Sequence, residues 1–165
     1  MFETVMGIPA HPLMVHAAVV FVPLLAVLAI VYAFVPFTRA HTRWVLGLLA
    51  IGAPLSALLA KLTGDAFYAR LDSQGRISDG YYPRLNEHSD LGTTTLYVSV
   101  ALGVITLALV WFVRPKDGFA ASNRVLGILL GVLALAASGA TLYYVIRTGD
   151  TGAKAVWEGS SDRLG

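Results

Sequence analysis

Cysteine is absent from the chain and charge is scarce: of 165 residues, only 13% are Asp, Glu, Lys or Arg. Without thiols, iron–sulfur clusters, thiolate-bound metals, covalently attached c-type haem and disulfide frameworks are excluded. The formal net charge of +2 is too small for the electrostatic footprint of nucleic-acid binding. With so few charges, 56% hydrophobic residues and a mean hydropathy of +0.69 are wrong for a soluble domain. They are right for a small polytopic membrane protein.

A helix needs about 20 mostly apolar residues to cross a bilayer. Four segments meet that requirement, at about 13–36, 44–63, 90–113 and 124–147. The fold expected is therefore all-α: an integral-membrane antiparallel four-helix bundle, one domain over residues 1–165, with an outer loop at 66–87. The first segment has no basic stretch ahead and no small-residue cleavage site behind, so it reads as a retained helix. Pro12 suits a first helical turn. Pro36 and Arg114-Pro115-Lys116 read as stops after the first and third spans. Pro23 and Pro54 fall inside spans, where neighbouring helices must satisfy the carbonyls they free. Gly47, Gly52, Ala53 and Ser56 in span two form a small-residue face. Gly127, Gly131, Ala134, Ser138 and Gly139 form another in span four, and such faces let helices pack closely.

The connections between spans one and two and between spans three and four carry Arg39, Arg43, Arg114, Lys116 and Arg124 against one acid, Asp117. Basic short loops stay cytoplasmic, so both termini and the 66–87 loop are expected to be extracytoplasmic. The expected location is a bacterial plasma membrane, crossed several times, with any site facing the periplasm or the cell exterior. Trp44 and Trp111 then fall near the inner boundary, and Tyr68, Tyr81, Tyr82 and Trp157 near the outer one, as an aromatic belt. Lys61 can snorkel outward. His41, between Arg39 and Arg43, is a solvated loop residue on the inner side.

The other three histidines gather on the outer side, where ionisable groups at a membrane edge usually mark a site. His11 and His16 open span one, and His88 precedes span three. Thr63-Gly64-Asp65 closes span two and Thr148-Gly149-Asp150 closes span four, so each half repeats one plan, a histidine followed by a closing triplet. On that plan His16 and His88 are counterparts. Segment 66–87 is long enough to act as a lid, residues 67–71 resemble an amphipathic continuation of span two, and residues 152–159 can dock on the interface. Residues 160–165 are expected to fray.

A histidine pair on facing helices of a bundle can ligate haem b axially. His16 and His88 are the expected ligands, with His11 nearby, and Arg70, Arg84 or Arg147 would pair with the propionates. Asp65 and Asp150 would orient the imidazoles. The role would be electron transfer with a quinone or an extracytoplasmic redox partner. The same histidines suit zinc or copper(II), although His11 and His16 stand about 140° apart on one helix. Alternatively the histidines only fix helix ends and no cofactor binds. The chain would then be an accessory subunit of a respiratory or transport complex, or a homodimer, using its small faces to pack other helices. No charge lies at mid-membrane depth, which speaks against a transporter.

The His-Pro-x-x-Val-His opening at His11 to His16 resembles that of a bacterial membrane family, domain of unknown function 2231. So do Thr63-Gly64-Asp65, His88 ahead of span three, and the run from Thr148 to Gly159. The family's ending is similar to Gly-Gly-x-Leu-Val-Tyr-x-x-Gly; here Ala153 and Trp157 replace the second glycine and the tyrosine. The resemblance covers nearly the whole chain and implies the four-helix fold. Some relatives are joined to Rieske-type iron–sulfur domains, which implies a redox neighbourhood.

Overall fold

The computed structural model describes residues 4–5, 8–113 and 124–161, with the side chains of 10–113 and 124–157. The expected stop at Arg114-Pro115-Lys116, with the loop acid Asp117, lies outside the described residues, as do residues 162–165. Four helices make up the bundle: α1 (Ala10–Phe34), α2 (Arg39–Ser73), α3 (Tyr82–Phe112) and α4 (Arg124–Ser161). All four are long and apolar enough to cross a membrane. A short antiparallel pairing of Thr4–Val5 with Ile8–Pro9 precedes them. Each helix packs on its sequence neighbours and α4 closes on α1, which leaves α1 diagonal to α3 and α2 diagonal to α4. The beginnings of α1 and α3 and the ends of α2 and α4 share one end of the bundle, the histidine end.

The expected outer loop is mostly helix. Residues 66–73 continue α2 and residues 82–87 open α3, so only 74–81 connect them. Thr63-Gly64-Asp65 is not a stop: Thr63 stays helical, with its hydroxyl turned back onto the carbonyls of Leu59 and Ala60 at 2.7 and 3.1 Å. The true stop is Gly75, at φ +62°. Its N–H donates to Asp72 O and that of Arg76 to Leu71 O, a Schellman ending that closes α2. Likewise α4 runs through Thr148-Gly149-Asp150 and on to Ser161, so 152–159 extend the helix rather than lying on the interface, and Ser160 is helical rather than frayed. At ~1.5 Å per residue, α2 and α4 are rods of more than ~50 Å, against ~30 Å of hydrocarbon.

The opposite end is closed by a residue read above as a loop charge. Arg39 is buried: its Nε donates to Tyr32 O at 2.9 Å and its Nη2 to Ala33 O at 2.8 Å. Those carbonyls end α1 and lack helical donors, and the guanidinium supplies them. It also lies 5.8 Å from the Tyr32 ring centre, while the Tyr32 hydroxyl donates to Val113 O across the bundle. His41 is exposed, on α2 rather than in a loop, and Trp44 and Trp111 are exposed, as belt residues are.

Both internal prolines sit within unbroken helices. Pro54 has no N–H to give Ala50 O, and Gly103 of α3 fills the gap. A Cβ on Gly103 would lie 2.5 Å from that oxygen, so a Cα hydrogen points at it instead. The small-residue faces read from sequence are only partly at contacts: Gly47, Gly52 and Gly139 have open space where a Cβ would go, while Ala53, Ser56, Ala134 and Ser138 are buried.

The two hairpins bury corresponding positions. One constant shift of numbering lays Val22, Leu25, Ala26, Ala29 and Tyr32 of α1 on Ser99, Leu102, Gly103, Thr106 and Leu109 of α3. Another lays Leu46, Ala50, Ala53 and Ala57 of α2 on Ala134, Ser138, Thr141 and Val145 of α4. Every one of these is buried, and the halves are related by a two-fold axis along the bundle, as in a parallel repeat. Gly103→Ala should destabilise the bundle by about 1–3 kcal/mol through the clash with Ala50 O. Gly139→Ala, facing open space, should be neutral or stabilising by up to ~1 kcal/mol. Thermal midpoints of the two variants in one detergent compare them directly.

Candidate functional site: a diagonal histidine pair

His11 is the second residue of α1, and its Nδ1 lies 3.0 Å from Ala60 O of α2. A carbonyl only accepts, so Nδ1 carries the proton and, in the neutral ring, Nε2 is a bare acceptor. The ring is laid against α2 where Gly64 has no side chain: a Cβ there would come 2.9 Å from the imidazole Cε1. His88, early in α3, repeats the arrangement on α4. Its Nδ1 is 3.1 Å from Thr151 Oγ1, and a Cβ on Gly152 would come 2.8 Å from its Cε1. The Thr151 hydroxyl donates to Arg147 O and Thr148 O, both at 3.1 Å, as Thr63 does one hairpin earlier. It is left to accept from His88 Nδ1–H, which again leaves Nε2 bare.

The two rings meet at the two-fold axis. Their centres are 6.4 Å apart and their planes 75° from parallel. His11, not His16, is therefore the counterpart of His88, and Thr151-Gly152, not Thr148-Gly149, is the counterpart of Thr63-Gly64. The reason is angular. Because α1 begins at Ala10, both histidines are helical, and His11 lies three full turns before buried Val22, within about 20° of the same face. His16 falls on another face; it is exposed, with its Nδ1 on Pro12 O.

The remaining expected site residues are dispersed. Asp65 pairs with Lys61 and Asp150 with Lys154, so neither carboxylate is on an imidazole. Lys61, expected to snorkel, is held by that partner and reaches toward Gly92 of α3. Arg147 approaches Glu87 at 3.5 Å, and Arg84 lines a cavity of about 140 Å³ with Glu87, Thr151, Lys154 and Ala155. Arg70 is exposed on the last turns of α2. Tyr68 bonds Asn86, Tyr82 bonds Asp72 and Tyr81 bonds Ala155 O, fastening the overhanging ends to one another. Among the described residues, no three His, Asp or Glu side chains are gathered to hold a metal ion. Sequence reasoning missed Thr151 and Gly152; the signal was the third Thr-Gly step, one helical turn past the second.

Fold and site together define a four-span membrane protein built from two like hairpins, each giving one imidazole to a pair on the axis. The chain belongs to the family of predicted membrane proteins called domain of unknown function 2231, whose family model matches residues 7–161. No curated protein and no solved structure matches it.

Gly64→Ala and Gly152→Ala should each push one imidazole off its helix, while Gly149→Ala, facing open space, should not. In ring ¹⁵N–¹H correlation spectra of histidine-labelled protein, the first two variants should shift the His11 and His88 signals, and the third should leave them in place.

Proposed function

We propose that His11 and His88 are the axial ligands of one haem b, making this a small b-type cytochrome that passes electrons between a quinone and an extracytoplasmic redox partner. The separation of the rings carries the reading. Two imidazoles that share one metal at about 2.0–2.1 Å per nitrogen hold their centres roughly 6 Å apart, and these stand at 6.4 Å. Each Nδ1–H is already engaged, which orients the ring and leaves Nε2 as the ligand atom. Haem supplies one-electron redox chemistry between such ligands.

The donor set favours haem over a bare ion. A structural zinc site takes four protein ligands and a catalytic site three, whereas this pair offers two. A haem brings its own four nitrogens. Arg84 and Arg147 stand at the same end for propionates. The basic residues Arg43 and Arg124 at the other end favour a cytoplasmic arginine end and an extracytoplasmic pair.

Protein purified in detergent from haem-supplied cells should show a Soret band of a bis-histidine haem. His11→Ala and His88→Ala should each lose it, and His16→Ala should keep it. A colourless wild type, or a band indifferent to both of the first two substitutions, overturns the haem reading; zinc or copper found by elemental analysis would then identify a bare-ion site, and co-purification with a larger complex an accessory subunit.

A further inference from the structure

The two hairpins match in shape but not in polarity. At six matched positions α1 and α2 carry Ala18, Val22, Ala29, Ala50, Ala53 and Ala60, where α3 and α4 carry Thr95, Ser99, Thr106, Ser138, Thr141 and Thr148. The first hairpin shows that this packing needs no hydroxyl. Six hydroxyls are nevertheless drawn into the α3–α4 side of the bundle, and they form a series running inward from the histidine end.

The series begins where His88 meets Thr151. Thr148 and Thr95 then join their hydroxyls across the two helices at 2.8 Å. Further in, Ser99 bonds Leu96 O and Thr141 reaches across to Val98 O at 3.3 Å. Deepest are Ser138 and Thr106, fully buried, whose hydroxyls have no hydrogen-bond partner. Leaving a buried hydroxyl unpaired is costly, and such groups in native interiors are commonly paired by internal water. At the opposite end of the series, Thr151 also lines the cavity of about 140 Å³ that it shares with Arg84, Glu87, Lys154 and Ala155. Thr151 thus touches that cavity and His88 at once. Beyond Thr106, the buried Tyr32 and the guanidinium of Arg39 over it close the arginine end.

We propose that the α3–α4 seam is a water-filled half-channel, entered from the cavity at Thr151, passing His88 and reaching Ser138 and Thr106 deep in the bundle. Its ligand is water, and protons exchange along it by relay between water and hydroxyls. From His88 to Thr106 it is about 27 Å long, at 1.5 Å per residue. It holds no carboxylate at depth, so it offers nothing to a metal cation, which takes charged oxygen ligands. The inference stands apart from haem, since it uses no ligand on the Nε2 atoms.

The test is water-edited solid-state NMR of the full chain in lipid bilayers, which reads transfer of water magnetisation to side chains, including transfer by hydroxyl exchange. Thr106 and Ser138 should build up within about two-fold of Ser73, which is exposed on the last turn of α2. Ala29 and Ala50, their matched positions in the dry hairpin, should lag several-fold. Build-up at Thr106 and Ser138 as slow as at those alanines overturns the half-channel. In Thr106→Val with Ser138→Ala the transfer to the buried Leu102, one turn before Thr106, should fall toward the alanine rate; should that variant not fold, the wild-type comparison decides alone.

Discussion

Within a bilayer, a carbonyl or ring nitrogen that loses its partner has no water to turn to, and that constraint shapes each unusual contact in this bundle. Pro54 strands the carbonyl of Ala50, and α3 meets it with a glycine close enough to lend a Cα hydrogen. The end of α1 strands two more, and Arg39 folds back from the start of α2 to take them. The imidazoles obey the same rule, each sending Nδ1–H to an oxygen of the adjacent helix. Close helix approach is thus a result of polar accounting as much as of shape. Glycine is used where it lets a donor arrive, at positions 64, 103 and 152, and is idle at 47, 52 and 139.

Two like hairpins about one axis explain why the histidines meet. A residue facing the centre of α1 faces its own counterpart on the diagonal helix, so a single inward imidazole per hairpin produces a pair. The same symmetry makes departures from it informative. The core of the first hairpin is lined with alanine and valine where the second carries serine and threonine, and that difference is not imposed by packing.

Much of this was legible in the residues. Four apolar runs gave four spans, the histidines and Thr-Gly steps marked the right end, and the repeat was visible in outline. The choice of histidine was not, because His11 and His16 differ only in facing, and facing depends on where the helix begins. With Ala10 as the first residue, His11 points inward. The Thr-Gly-Asp triplets read as stops because glycine and aspartate often end helices, while the return of the Thr63 hydroxyl to its own helix's carbonyls leaves no sequence mark of its own. Arg39 read as a solvated charge because nothing in the run Thr38-Arg39-Ala40 announces that its target is the helix behind it. Gly103 was unremarked, since its role exists only opposite Pro54.

The division of the pair between hairpins bears on how the protein is made. A nascent chain with only α1 and α2 in the membrane owns one imidazole and one receiving glycine, and can hold nothing between two ligands. The second hairpin brings the other imidazole of the pair and docks it by the same Thr-Gly step. Any ligand that bridges the rings would therefore bolt the two hairpins together, and its capture would report that both are in place.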